Sequence, residues 1–113
     1  MATIEKVKPI VLTVEDKTYT LEFNRNSVAS AERAGLVLAD ITTQPMNTLP
    51  LLFYAAFKFH HPEITLAETD RILFEVLGGL TSEEVARLGE LFSAPTQALI
   101  NEGGERKNAK ISL

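Results

Sequence analysis

The sequence predicts an α+β fold, a β-hairpin followed by helices, and three observations carry that prediction. An alternating apolar segment runs from Pro9 to Phe23, three helix-start signatures follow it at Asn24, Thr65 and Thr81, and a nearly all-apolar stretch spans Leu49 to Phe59. Strands placed before helices, rather than alternating with them, give segregated layers instead of a βαβ sheet. The expected architecture is a hairpin over about 9–23 and four to five helices around a central apolar helix at about 47–60. Residues 1–8 are expected to form an N-terminal extension, 9–102 a single domain and 103–113 a mobile charged tail.

The hairpin comes from period-two patterning. Ile10, Leu12 and Val14 share one face, as do Tyr19, Leu21 and Phe23, with Thr13, Thr18, Thr20 and Glu22 opposite. Alternation with β-branched and aromatic enrichment is the strand signal. A two-residue loop at Asp16-Lys17 would set Val14 against Tyr19, Leu12 against Leu21 and Ile10 against Phe23. Because the side-chain period is two, that register gathers one apolar face.

Helix one is expected after Asn24, which can cap the free amides while Phe23 staples onto Val28. Gly35 followed by Leu36 reads as its C-terminal stop. The apolar stretch over Leu49–Phe59 lacks a polar face, as a helix buried on most sides does. Pro50 is tolerated in a first turn, which sets the expected start near Asn47, and Pro62 sets the stop after His60-His61. Thr65-Leu66-Ala67-Glu68 and Thr81-Ser82-Glu83-Glu84 have the spacing of capping boxes. The first opens a stripe of Leu66, Thr69, Ile72, Leu73 and Val76, closed by Gly78-Gly79. The second opens one through Leu88, Leu91 and Phe92. Pro95 is expected to break or kink that helix, leaving a short last helix over Thr96–Asn101.

Composition narrows the function. Of 113 residues, 45% are apolar and 23% charged, the profile of a globular domain, and the formal net charge is −4. The basic residues are scattered except for Arg106, Lys107 and Lys110, which argues against nucleic acid as the main partner. With no cysteine in the chain, disulfides, thiolate metal sites and cysteine nucleophiles are excluded. Leu51 to Phe57 is the longest apolar run, far short of the ~20 residues a membrane span needs. The N-terminus lacks the apolar h-region of a signal peptide. A cytoplasmic location is therefore expected, with no membrane partner.

Catalysis needs convergent polar groups in a pocket, and the sequence supplies few. Adjacent histidines on a helix point ~100° apart, so His60 and His61 do not converge on one metal as an i,i+4 pair does; they read as helix-end residues. Glu83 and Glu84 fall in a first turn, where carboxylates favour the helix dipole. Asp40 reads as a cap or turn residue. Ser27, Ser30, Ser82 and Ser93 lack a nucleophile-elbow context. Gly78-Gly79 lacks the Lys-Ser/Thr of a phosphate loop. No catalytic residue, metal ligand or cofactor is expected, and the chain reads as a non-catalytic protein that holds another.

Two features are candidates for that binding. The linker Leu36, Val37, Leu38 and Ile41 is apolar where connecting segments are normally polar; a loop folded back onto the core is the alternative. In the apolar helix, Phe53 or Phe57 would line a groove for a partner helix; plain core packing is the alternative there. Self-association is possible, since an open hairpin edge can pair with another chain.

The strings Lys17-Thr18-Tyr19-Thr20-Leu21-Glu22-Phe23-Asn24-Arg25, Glu32-Arg33-Ala34-Gly35, Leu49-Pro50-Leu51-Leu52-Phe53-Tyr54-Ala55-Ala56-Phe57 and His60-His61-Pro62 resemble the tail assembly chaperones of long-tailed bacteriophages and prophages of Gram-positive bacteria. The likeness runs from about Val11 to Glu102, and its most distinctive part is Pro50 to Pro62. The resemblance implies a protein that binds apolar helical segments of the tape measure protein, keeps it soluble, helps recruit tail tube protein and is absent from the mature virion. It also implies a longer form made by ribosomal slippage, for which Arg106-Lys107-Asn108 allows a slippery heptamer in the gene. The alternatives are a small virion structural or completion protein and an adaptor unrelated to phage.

Overall fold

The structure is a computed structural model that describes residues 7–99 and 111–113. Two strands, β1 (Ile10–Val14) and β2 (Lys17–Leu21), form an antiparallel hairpin. Helices α1 (Arg25–Arg33), α2 (Pro45–Phe57), α3 (Leu66–Asp70) and α4 (Ser82–Gln97) follow. A single 3₁₀ turn, Leu38–Ile41, precedes α2, and α3 runs directly into a π-helical segment, Arg71–Val76. This is the expected α+β order of hairpin first and helices after.

The hairpin keeps the expected apolar face in a different register. Ile10 pairs with Leu21, Leu12 with Tyr19 and Val14 with Lys17, so the two-residue loop is Glu15-Asp16 and not Asp16-Lys17. Glu15 and Asp16 have φ of +50° and +71°, the double left-handed conformation of the turn whose twist suits a tight hairpin. A glutamate rarely takes it. Here Arg71 Nη1 donates to Glu15 Oε1 at 3.0 Å, holding the turn against the helices. The shift is two residues, so parity survives: Val14, Leu21 and Phe23 remain buried.

α1 is bounded as expected. Asn24 Oδ1 accepts from Ser27 N–H at 2.8 Å and Ser27 Oγ accepts from Asn24 N–H at 2.9 Å, a reciprocal capping box. At the other end Gly35 has φ +96°, and Leu36 N–H reaches back to Ala31 C=O at 3.0 Å. That is the Schellman arrangement, and its apolar residue Leu36 is buried.

α2 is the centre of the molecule: β2, α1, the 3₁₀ turn, α3 and α4 all pack on it. Leu52, Phe53, Ala55, Ala56 and Phe57 are buried, which is why the segment carries no polar stripe. Its bounds differ from expectation. It starts at Pro45, whose fixed φ suits a first helical position, so Pro50 lies in the second turn. The donor that Pro50 lacks would serve the carbonyl of Met46, a residue 76% exposed and open to water. The helix ends at Phe57, before Pro62, because the chain turns there to bring His60 and His61 to β2.

Thr65 caps α3 by accepting from Glu68 N–H at 3.2 Å, while the Glu68 carboxylate is taken by Arg71 and not by Thr65. Leu77 N–H then bonds Ile72 C=O, five residues back, at 2.8 Å. The wider π turn carries part of the expected stripe off its face. Thr69, Ile72 and Leu73 stay buried, whereas Val76 at the end of the π turn is exposed; Leu66, exposed as well, lies in the first turn of α3 ahead of it. The Thr81–Glu84 capping box forms in full. α4 continues through Pro95 to Gln97, so Thr96 and Gln97 belong to it and, among the described residues, no separate last helix follows; in a final turn proline withholds one donor only. Asn101, the charged residues of the tail through Lys110 and most of the N-terminal extension lie outside the described residues. No helix among the described residues is long and apolar enough to cross a membrane.

Candidate functional site

The expected binding residues fall into two groups. Leu36, Phe53 and Phe57 are 4%, 1% and 0% exposed and belong to the core. Phe57 meets Tyr19 and Phe53 edge-to-face at centroid distances of 5.3 and 5.0 Å. In this conformation neither phenylalanine offers a partner a surface, contrary to the groove-lining expectation, because both lie on faces of α2 that other elements cover. Leu38 and Ile41 are half-buried and pack against the core. The apolar linker is therefore mostly a loop folded back, with Val37 the exposed exception.

A groove lies one face round, between α1 and α2, and holds about 420 Å³. Its α1 wall is Ser27, Ser30, Ala31 and Ala34, and its α2 wall is Leu51, Tyr54 and Ala55. Asn24 and Asn26 sit among its polar lining, with Lys58 and Phe59 beyond the end of α2. Small residues on α1 create it: Ser27, Ser30, Ala31 and Ala34 recur at three- and four-residue spacing, so one helix face is nearly flat. Opposite them Tyr54 and Phe59 retain solvent contact, and Lys58 Nζ lies 5.3 Å from the Tyr54 ring centre. Among the described residues no carboxylate lines the groove, although the chain is acidic overall. The floor is apolar and the rim is amide, hydroxyl and ammonium.

The readable signal for this groove was the small-residue spacing on α1. Alanine and serine carry little chemistry of their own, so the signal is weak beside that of the large aromatics Phe53 and Phe57.

The remaining polar groups serve the fold. His61 Nε2 accepts from Thr20 N–H at 3.0 Å, and His60 Nε2 lies 2.8 Å from Glu22 Oε1. Glu84 Oε1 accepts from Thr81 N–H at 2.8 Å, so its carboxylate is a cap. Arg71 holds Glu68 through two bonds, and this pairing lowers the Glu68 carboxyl below its ordinary value while raising the Arg71 guanidinium. Among the described residues no three or more His, Cys, Asp or Glu side chains are gathered where they would hold a metal ion.

Further exposed apolar side chains are Phe74, Val76 and Leu77 at the end of the π-helical segment, Met46 at the start of α2, and Val11 on β1.

A family model described as Domain of unknown function (DUF5055) matches residues 2–113. No curated protein and no solved structure matches the chain.

Proposed function

The chain belongs to that domain family, and we propose that it is a tail assembly chaperone of a long-tailed phage or prophage. In this reading it binds apolar helical segments of the tape measure protein, keeps that protein soluble and promotes tail tube assembly. It works in the host cytoplasm and leaves before the virion is complete. The observation that carries the proposal is the α1–α2 groove. It has an apolar floor with Tyr54 and Phe59 partly exposed and, among the described residues, a rim without carboxylates. Such a groove suits the apolar ridge of an amphipathic helix, whose side chains enter at i, i+3 and i+4. A tape measure protein is a long helical chain that repeats such ridges, so many weak sites add by avidity. Several chaperone copies would then coat one client. The other exposed apolar residues add contact surface that a soluble monomer has little use for.

Co-expression with the tape measure protein encoded beside it tests the proposal. The wild-type chain should move that protein into the soluble fraction. Tyr54→Ala with Phe59→Ser should lose most of that effect while the chaperone's own thermal melt stays near wild type. A tape measure protein that remains insoluble beside the wild-type chain refutes the proposal. So does full rescue by the groove variant.

A further inference from the structure

The hairpin has two edges, and only one is fastened to the helices. In a two-residue hairpin the pair flanking the loop exchanges hydrogen bonds, and so does every second pair beyond it. From the register, Val14–Lys17, Leu12–Tyr19 and Ile10–Leu21 bond within the hairpin. On the β2 side Thr18, Thr20 and, just past β2, Glu22 point outward, and two of their N–H groups are held by the helical part of the chain: Thr20 N–H by His61 Nε2 and Glu22 N–H by Ala56 C=O, each at 3.0 Å, while Thr18 beside the turn bonds nothing outward among the described residues. Val11 and Thr13 point outward from β1, and among the described residues their backbone groups bond nothing. Val11 is 66% exposed. Edge strands are normally guarded by a charge, a proline or a bulge, and Ile10–Val14 contains none of these.

We propose that β1 pairs antiparallel with β1 of a second copy about a twofold axis at Leu12, joining the two hairpins into one four-stranded sheet. This goes beyond the chaperone reading and is independent of it. The flanking residues choose both the occupant and the register. Centring on Leu12 sets Val11 opposite the second copy's Thr13, and by symmetry Thr13 opposite Val11. All four outward backbone groups on each strand are then used. Centring on Val11 would set Thr13 against Pro9, which has no N–H. Centring on Thr13 would set Val11 against Glu15, whose φ of +50° turns it out of the strand. The Leu12 register also brings Lys8 of each copy, just before β1, toward the turn of the other, where Asp16 is carried, and both are exposed residues. A twofold interface repeats that approach of opposite charges. An unrelated extended peptide has no reason to present both the right length of uncharged strand and a base and an acid at its two ends.

Five residues of strand make a weak dimer, so the test is a dilution series of the full chain. Analytical ultracentrifugation should show a monomer–dimer equilibrium. Amide exchange at Val11 and Thr13 should slow as concentration rises while Leu12 stays unchanged. Thr13→Pro removes an outward N–H that the hairpin does not use and should abolish dimerisation with the thermal melt retained. Lys8→Glu and Asp16→Lys should each weaken dimerisation roughly three- to tenfold, the scale of two exposed ion pairs. The double variant should restore it. A chain still monomeric at about 1 mM overturns the proposal. So does protection of Val11 and Thr13 that is independent of dilution, which would mean the chain's own N-terminal residues or a co-purified peptide lie on the edge. A double charge swap that fails to restore association overturns it as well.

Discussion

Gly89→Ala should stabilise the protein, and the reason is visible at a single atom position. Gly89 lies inside α4, where glycine costs about 1 kcal/mol relative to alanine in lost chain entropy. A methyl built there would meet Leu38 Cδ2 at 3.8 Å and Leu38 Cδ1 at 4.0 Å, ordinary van der Waals contact with the 3₁₀ turn. The substitution therefore adds helix propensity and a little buried carbon without displacing anything. A gain of about 1 kcal/mol corresponds to a rise of roughly 4–8 °C in Tm for a domain of this size. Gly35→Ala is the control. A methyl there meets no atom within 4 Å, yet Gly35 has φ +96°, a conformation that costs an L-residue about 1–2 kcal/mol. Neither substitution clashes, and the backbone angle alone sets opposite signs. Differential scanning calorimetry of the two variants decides it. An unchanged or lowered Tm for Gly89→Ala would mean that the Leu38 turn resists the methyl, and the packing described for the linker would be wrong.

Phe57→Ala should cost about 3–5 kcal/mol in urea unfolding, since the ring is fully buried against Tyr19 and Phe53; a cost near 1 kcal/mol would mean that α2 is not the centre of the core. Arg71→Gln should return the Glu68 carboxyl toward its ordinary value, because the hydrogen bond from Arg71 is the largest cause of its lowering. A group whose folded value is lowered contributes stability above its unfolded value and loses it as pH falls through the folded one. The gap between wild type and Arg71→Gln should therefore narrow in acid, and an NMR titration midpoint for Glu68 that does not move upward would refute the pairing.

Local rules carried most of the fold. The period-two face, the Asn24 and Thr81 caps, the Gly35 stop and the burial of α2 were all legible, because each depends on residues within a few positions of one another. What escaped depends on distant partners. The Glu15-Asp16 turn holds two non-glycine residues at positive φ with Arg71, far along the chain, fastened to the first of them. Pro50 and Pro95 each sit inside a helix that packing carries past the missing donor. The π turn after Asp70 rotates Val76 out of a stripe that α-helical spacing had assigned inward. The groove was legible only in outline. Small residues on α1 announce a flat face, but nothing local says that α2 meets that face with Tyr54 and Phe59 left at its rim.

The two histidines show how long-range partners divide adjacent residues, and they allow a last prediction. His61 Nε2 accepts the Thr20 N–H, a role open only to a ring nitrogen with a free lone pair, and the ring lies edge-on to Tyr19 at 5.1 Å. His60 instead faces the Glu22 carboxylate with its side chain 35% exposed. His61→Ala removes the partner of a half-buried backbone donor together with an aromatic contact, which should cost about 1–2 kcal/mol. His60→Ala removes the more exposed member of a pair whose Glu22 side chain is 14% exposed; water can reach the carboxylate where the ring stood, and the cost should be about 1 kcal/mol or less. The consequence extends past stability. His61 fastens the outer edge of β2, so its loss should expose Thr20 to amide exchange while leaving Leu12 and Val14 protected within the hairpin. If His60→Ala proved the costlier substitution, or if Thr20 exchanged no faster in His61→Ala, then the histidines would not be what ties the hairpin to the end of α2, and the fastening assigned to that edge would fall with them.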